Sequence, residues 1–193
     1  MKHLRTSIVV TIFWTVVVGG MYPLLMYGVG VVFFARQAEG SLVVVNGATV
    51  GSSLIGQDFE NDRYFHPRPS AIGYDSSASG ASNWGWTSSD LKKAYDQRLS
   101  DWQKTSPKGA AADPPPMDML FASASGLDPH VSPEAAELQV PRVAAARHLG
   151  TEQARALLQM VRAHEEGPQL GFLGEPRVNV LLLNLATDRQ FPG

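Results

Sequence analysis

"TSIVVTIFWTVVVGGMYPLLMYGVGVVFFA", from Thr6 to Ala35, contains no charged side chain. As a helix this run measures roughly 45 Å, against a hydrocarbon core of roughly 30 Å, so it can span a bilayer with tilt. A cleaved signal peptide is the alternative. Its apolar region measures only about 7–15 residues and ends in a small-x-small site, which "FFARQAEG" (33–40) does not offer cleanly. The expectation is an uncleaved transmembrane anchor over 1–36. Lys2 and Arg5 precede the run, and Arg36 with Glu39 follows it. This bias favours a cytoplasmic N-terminus and an extracytoplasmic remainder.

Within the span, Ser7, Thr11, Thr15, Gly19, Pro23 and Tyr27 recur every four residues. Small and hydroxylated residues let a second helix approach closely. Alternatively the hydroxyls bond their own backbone. Gly19, Gly20 and Pro23 predict a kink. The span holds no acid or lysine to carry an ion.

Beyond residue 36 lie all 18 acids and 13 of the 16 basic residues. A mildly acidic domain argues against nucleic acid as partner. The absence of cysteine excludes disulfides, a thiol nucleophile and thiolate metal sites. Residues 37–193 have the length for one small domain. Asn46-Gly47 predicts a hairpin turn between apolar runs. Residues 57–85 read as loop. "TSSDLKKAYDQRLSDWQK" (87–104) reads as a helix with Thr87 and Asp90 as its capping box. A flexible linker is expected near 105–117, and "MDMLFASA" (117–124) reads as a short strand. Ser132-Pro133 starts a helix running toward His148. Pro141 is expected to kink or split it, and Gly150 to close it. Thr151 then caps a second helix, with Ala154, Leu157, Leu158 and Val161 as its apolar face. "RVNVLLLNLA" (177–186) reads as a strand buried on both faces, or at least central in its sheet. The mixture gives an α/β or α+β fold: one transmembrane helix, then a small mixed domain.

Catalytic templates find little. There is no phosphate-binding G-x-x-x-x-G-K-[ST] loop, no G-x-S-x-G elbow and no His-Glu-x-x-His pair. Asp128 and His130, in "ASGLDPHVSPEAA" (124–136), can be read as an acid/base pair or metal ligands. They can equally be read as an Asp-Pro turn feeding the Ser132 cap. Arg68, stiffened by Pro67 and Pro69, suits a carboxylate or phosphate, or an internal ion pair. The small residues and glutamine of "GSSLIGQDF" (51–59) suit either a ligand cradle or the end of the hairpin. Trp84 and Trp86 suit an interface or a core.

Five blocks occur in this order after the span: "VNGATVGSSLIGQDF" (45–59), "YFHPRPSA" (64–71), "SGASN" (79–83), "SASGLDPHVSPEAAELQVPRVAAAR" (123–147) and "GEPRVNVLLLNLATD" (174–188). Together they resemble the C subunit of the Kdp potassium-transporting ATPases over nearly the whole chain. "SNWGWTSS" (82–89) departs from that family's usual pattern. The resemblance implies an accessory subunit rather than an enzyme. Its partners would be a channel-like potassium-binding subunit, a P-type ATPase subunit, a small single-span subunit and membrane lipid. It implies a role in assembly and in raising the ATPase subunit's affinity for ATP. ATP and potassium are then handled by the complex, with no cofactor or metal held by this chain. The candidate ligand or partner contacts within these blocks are Ser53, Gln57, Arg68 and Ser70, then Ser82, Asn83, Asp128, His130 and Arg142. A membrane-anchored enzyme using Asp128 and His130, or a ligand-binding module using Arg68, remain the alternatives.

Overall fold

The computed structural model describes residues 2–105 and 115–192. Two compact units divide the chain, Met1–Val50 and Gly51–Gly193. In the first, His3–Phe33 is one helix long and apolar enough to cross a membrane. It consists of α1 (Lys2–Val16), a π turn (Val17–Met21) and α2 (Tyr22–Phe33). The expected irregularity near Gly19 therefore takes the form of a π turn, with Tyr22 N–H donating to Val17 O. Pro23 has no N–H, and its ring crowds the carbonyl one turn back. A widened turn accommodates both problems without ending the helix. A short helix α3 (Ala35–Ala38) and the hairpin β1 (Leu42–Val45) and β2 (Ala48–Ser52) follow. Asn46 and Gly47 both have positive φ, 51° and 80°, as the predicted Asn-Gly turn requires.

The second unit opens with the long loop expected between Gln57 and Gly85. Helix α4 (Ser89–Thr105) follows. Its cap is Ser88 rather than Thr87, since Ser88 Oγ accepts from Asp90 N and Leu91 N at 3.2 and 3.4 Å. Most of the expected linker, 106–114, lies outside the described residues. "MDMLFASA" is not a strand. Met117–Leu120 form one helical turn, α5, before the backbone extends at Phe121. The Pro116 carbonyl accepts from Met119 N there, a local contact that the apolar composition does not reveal.

Helix α6 (Pro133–Ala146) begins at the predicted cap, with Ser132 Oγ accepting from Ala135 N at 3.0 Å. Pro141 does not split it. Buried residues on either side, Gln139, Val140, Arg142 and Val143, hold the helix together through packing. Two of the expected caps are reassigned. His148, at φ 56°, turns the chain out of α6. Gly150 precedes α7 (Thr151–Ala163), and its N–H donates to Gln153 Oε1, so Thr151 is the first helical residue and not the cap. The predicted inner face of α7 holds: Leu157 and Val161 are fully buried, Ala154 and Leu158 partly so.

"RVNVLLLNLA" corrects most sharply. Only Arg177–Asn179 form a strand, β5; Val180–Gln190 are helix α8. Asn179 makes the switch by accepting from Leu182 N at 3.1 Å, an N-cap in the middle of an apolar run. The strand is central, as expected: the antiparallel sheet runs β3 (His130–Val131), β5, β4 (Glu165–Glu166). Helices α6, α7 and α8 pack with this sheet around Phe65, Val131, Val143, Leu157, Val161, Val178 and Leu183.

Candidate functional site

Arg68 sits between Pro67 and Pro69, whose fixed φ leaves its backbone little freedom. The loop that carries it is held by amide side chains acting as strand neighbours. Asn184 pairs with both backbone groups of Phe65, at 2.7 and 3.0 Å. Gln139 pairs with both of His66, at 2.7 and 3.2 Å. Beneath them Arg142, buried, donates to Asp62 O, Tyr64 O and Gln139 Oε1 at 2.7–2.9 Å. Arg147, with a fully buried side chain, donates to Arg63 O, Phe191 O and Asp188 Oδ1. It also lies 5.3 Å from the centre of the Tyr64 ring.

This frame perturbs the groups inside it. Burial, with the Arg142 charge second, lowers the His66 pKa to about 4, outweighing Asn61 O and Asp62. His66 is therefore neutral at physiological pH. Burial also lowers Arg142 to about 10, against the pull of Asp62, so it stays charged.

Past Arg68 the loop is laced to the segment before β3. Ser70 Oγ donates to Gly126 O at 2.7 Å and accepts from Ile72 N and Tyr74 N. Tyr74 Oη donates to Arg68 O at 2.7 Å, and Ser123 N to Pro69 O at 3.0 Å. Gly126, at φ 70°, leaves no room for a Cβ, which would meet Gly80 O at 2.8 Å. Gly56 is also required: a Cβ there would meet Asp128 O at 2.5 Å, and its N–H donates to Leu127 O.

These contacts bring together the two motifs that stand 60 residues apart. Arg68 Nη1 lies 3.0 Å from Asp128 Oδ2. Asp128 Oδ1 accepts from His130 N at 3.0 Å, with His130 Nδ1 at 3.6 Å. Burial opposes ionisation of Asp128. The His130 side chain and N–H, then Arg68, outweigh it and hold the carboxyl below its usual range. Asp118 Oδ2 accepts from Ser132 N at 2.7 Å. The two carboxylates thus cover alternate N–H groups, those of His130 and Ser132, along the two-residue strand β3. An ionised, ion-paired Asp128 suits a tether better than a proton acceptor at neutral pH. Around the trio opens a cleft of about 820 Å³, also lined by Met117, Glu134, Glu175 and Arg177.

The remaining predicted residues lie elsewhere. Ser53 O accepts from Asn179 Nδ2 at 2.8 Å. The Gln57 amide packs over Gly51 in the space a Cβ would take. Ser82 lies half-buried in its loop, and Asn83, exposed at φ 53°, donates to Ala81 O. Trp86 is 87 % exposed and packs edge-on to Phe121. Ser7, Thr11, Thr15, Gly19, Pro23 and Tyr27 are all exposed on the long helix. Sequence reasoning passed over Gln139, Arg147 and Asn184. Their one signal is a polar residue placed one helical turn after two apolar ones.

The sequence profile of the family described as "KdpC: K+-transporting ATPase, c chain" matches residues 4–189. Among curated proteins, the chain is similar to the potassium-transporting ATPase KdpC subunit of Geobacter sulfurreducens, with 46 % identity and 100 % of both chains covered. The subunit of the same name from Koribacter versatilis is 48 % identical over 99 % of this chain and 96 % of its own. That of Nitratidesulfovibrio vulgaris is 50 % identical over 95 % and 92 %.

Proposed function

This chain belongs to the KdpC family, the c chain of potassium-transporting ATPases, and from that membership we propose that it serves as a non-catalytic accessory subunit of an ATP-driven potassium uptake complex. Its partners are a channel-like potassium-binding subunit, a P-type ATPase subunit and a small single-span subunit. The observation that carries this reading is the His3–Phe33 helix, which is long and apolar enough to cross a membrane. Such a helix takes its cover from lipid and from neighbouring helices. In the domain beyond it, Arg142 and Arg147 pin loops, and Asp128 pairs with Arg68. Ser53, Gln57, Ser70, Ser82, Asn83 and His130 supply the loop surface that meets partners.

The basic residues before the span favour a cytoplasmic N-terminus and a domain outside. ATP is then out of the domain's reach. Any rise in the ATPase subunit's nucleotide affinity passes through the neighbour's helices as a coupling between two states. Potassium and ATP are bound by the partners.

Two measurements test this. A reporter fused after Gly193 that is active on only one side of the bilayer should report the outside. Purification of the tagged full chain in mild detergent should bring down the polytopic subunits, and Gly19→Leu should reduce their recovery. A chain that purifies alone, or a cytoplasmic reporter, would refute the assignment.

A further inference from the structure

Between β4 and β5 the chain makes a tight turn that exposes apolar side chains. Gln169 and Leu173 bridge through Gln169 N–Leu173 O at 2.8 Å and Leu173 N–Gln169 O at 2.9 Å. Phe172 N closes the turn onto Gln169 O at 3.2 Å. Its central residues, Leu170 and Gly171, both have positive φ, 54° and 82°. This is the pattern that favours Asn-Gly, and the chain uses Asn-Gly for the same purpose at Asn46-Gly47. Here a leucine takes the first position, where its side chain disfavours a left-handed backbone. Leu170 is nonetheless 83 % exposed and Phe172 75 %, with Leu173 half exposed beside them. A turn that served only to reverse the chain would gain from asparagine or glycine at position 170. The apolar side chain makes sense if something outside the chain covers it.

The stems say what kind of surface that is. Glu165 and Glu166 lead into the turn and Glu175 leaves it; Arg177 alone offsets them, paired with Glu166 at 3.1 Å. An acidic collar is repelled by an anionic bilayer. It complements a protein socket with an apolar floor and a basic rim. We propose that the Gln169–Leu173 turn is a docking knob, seated through Leu170 and Phe172 in an apolar, basic-rimmed socket on a neighbouring protein subunit. The proposal rests on the reading of this chain as one subunit of a membrane complex.

The test uses the full chain co-expressed with its complex. Leu170→Asn places the favoured residue in the turn, so the melting temperature of the chain should hold or rise. Recovery of co-purifying subunits should nonetheless fall about tenfold or more, as expected when a large apolar contact is lost. Phe172→Ala should act in the same direction. A photo-reactive phenylalanine analogue at position 172 should cross-link to a polytopic subunit that the wild-type chain brings down, at a site flanked by Lys or Arg. Wild-type recovery with Leu170→Asn, or an adduct with lipid or with a second copy of this chain, would overturn the knob while leaving the accessory role intact. If the wild-type chain captures no other subunit, the accessory role itself fails and the knob fails with it.

Discussion

Asp128 shows how little a short motif reveals until its neighbours are known. In sequence, Asp128 and His130 read equally well as an acid/base pair or as a turn. In the fold, the carboxylate faces Arg68 Nη1 at 3.0 Å and the His130 N–H at 3.0 Å, and so stays ionised. Asp128→Asn should cost about 1–3 kcal/mol, the scale of a hydrogen bond to a charged group plus its unpaired partner. The measurement is urea unfolding, and recovery of the partner subunits should be unchanged. Loss of function at unchanged stability would instead favour chemistry at this pair. His66 makes a prediction with a definite sign. Its folded pKa, about 4, lies below the unfolded value of 6.5. The unfolded chain therefore binds more protons between those values. The stability linked to His66 is complete above about pH 6.5 and declines as pH falls toward 4. Unfolding midpoints at pH 7 and pH 5 should differ for the wild type, and His66→Gln should narrow the difference.

Among the elements, the long helix and α6 treat proline in two ways. Pro23 is accommodated by a π turn. That turn also affects the four-residue stripe. Each step of four advances about 40° beyond a full α-helical turn, so the stripe spirals. A π turn contains an extra residue and brings Pro23 and Tyr27 back toward Thr11 and Thr15. Pro141, by contrast, sits exposed within an unbroken α6. Pro141→Ala restores a helical N–H, and should raise stability by about 1–3 kcal/mol; a lower melting temperature would show that the ring packs better than its exposure suggests. Element types were legible where period and caps agree, as at Asn46-Gly47, at Ser132-Pro133 and on the inner face of α7. They were not legible in "RVNVLLLNLA", where apolar residues stand on every face. A run of that kind fits a buried strand or a buried helix equally well, and a single side chain, Asn179, makes the change from one to the other.

At the scale of the whole molecule, every residue of the main core lies within Gly51–Gly193. A chain starting at Gly51 should therefore fold alone, with one cooperative thermal transition and no membrane association; a non-cooperative melt would show that the N-terminal unit contributes to the core. Residue order by itself determined the membrane-length helix, the family, and a mixed domain with a loop-rich start. These depend on composition and local spacing, which a linear chain carries intact. Only the tertiary structure decided that Arg68 meets Asp128. It also decided that Asn184 and Gln139 stand in as strand partners for Phe65 and His66, and that Arg142 is occupied beneath them. Each of those contacts joins positions 60 to 119 residues apart. Which distant polar groups meet is set by the packing of the whole core, because a buried donor must find whatever acceptor the fold brings within reach.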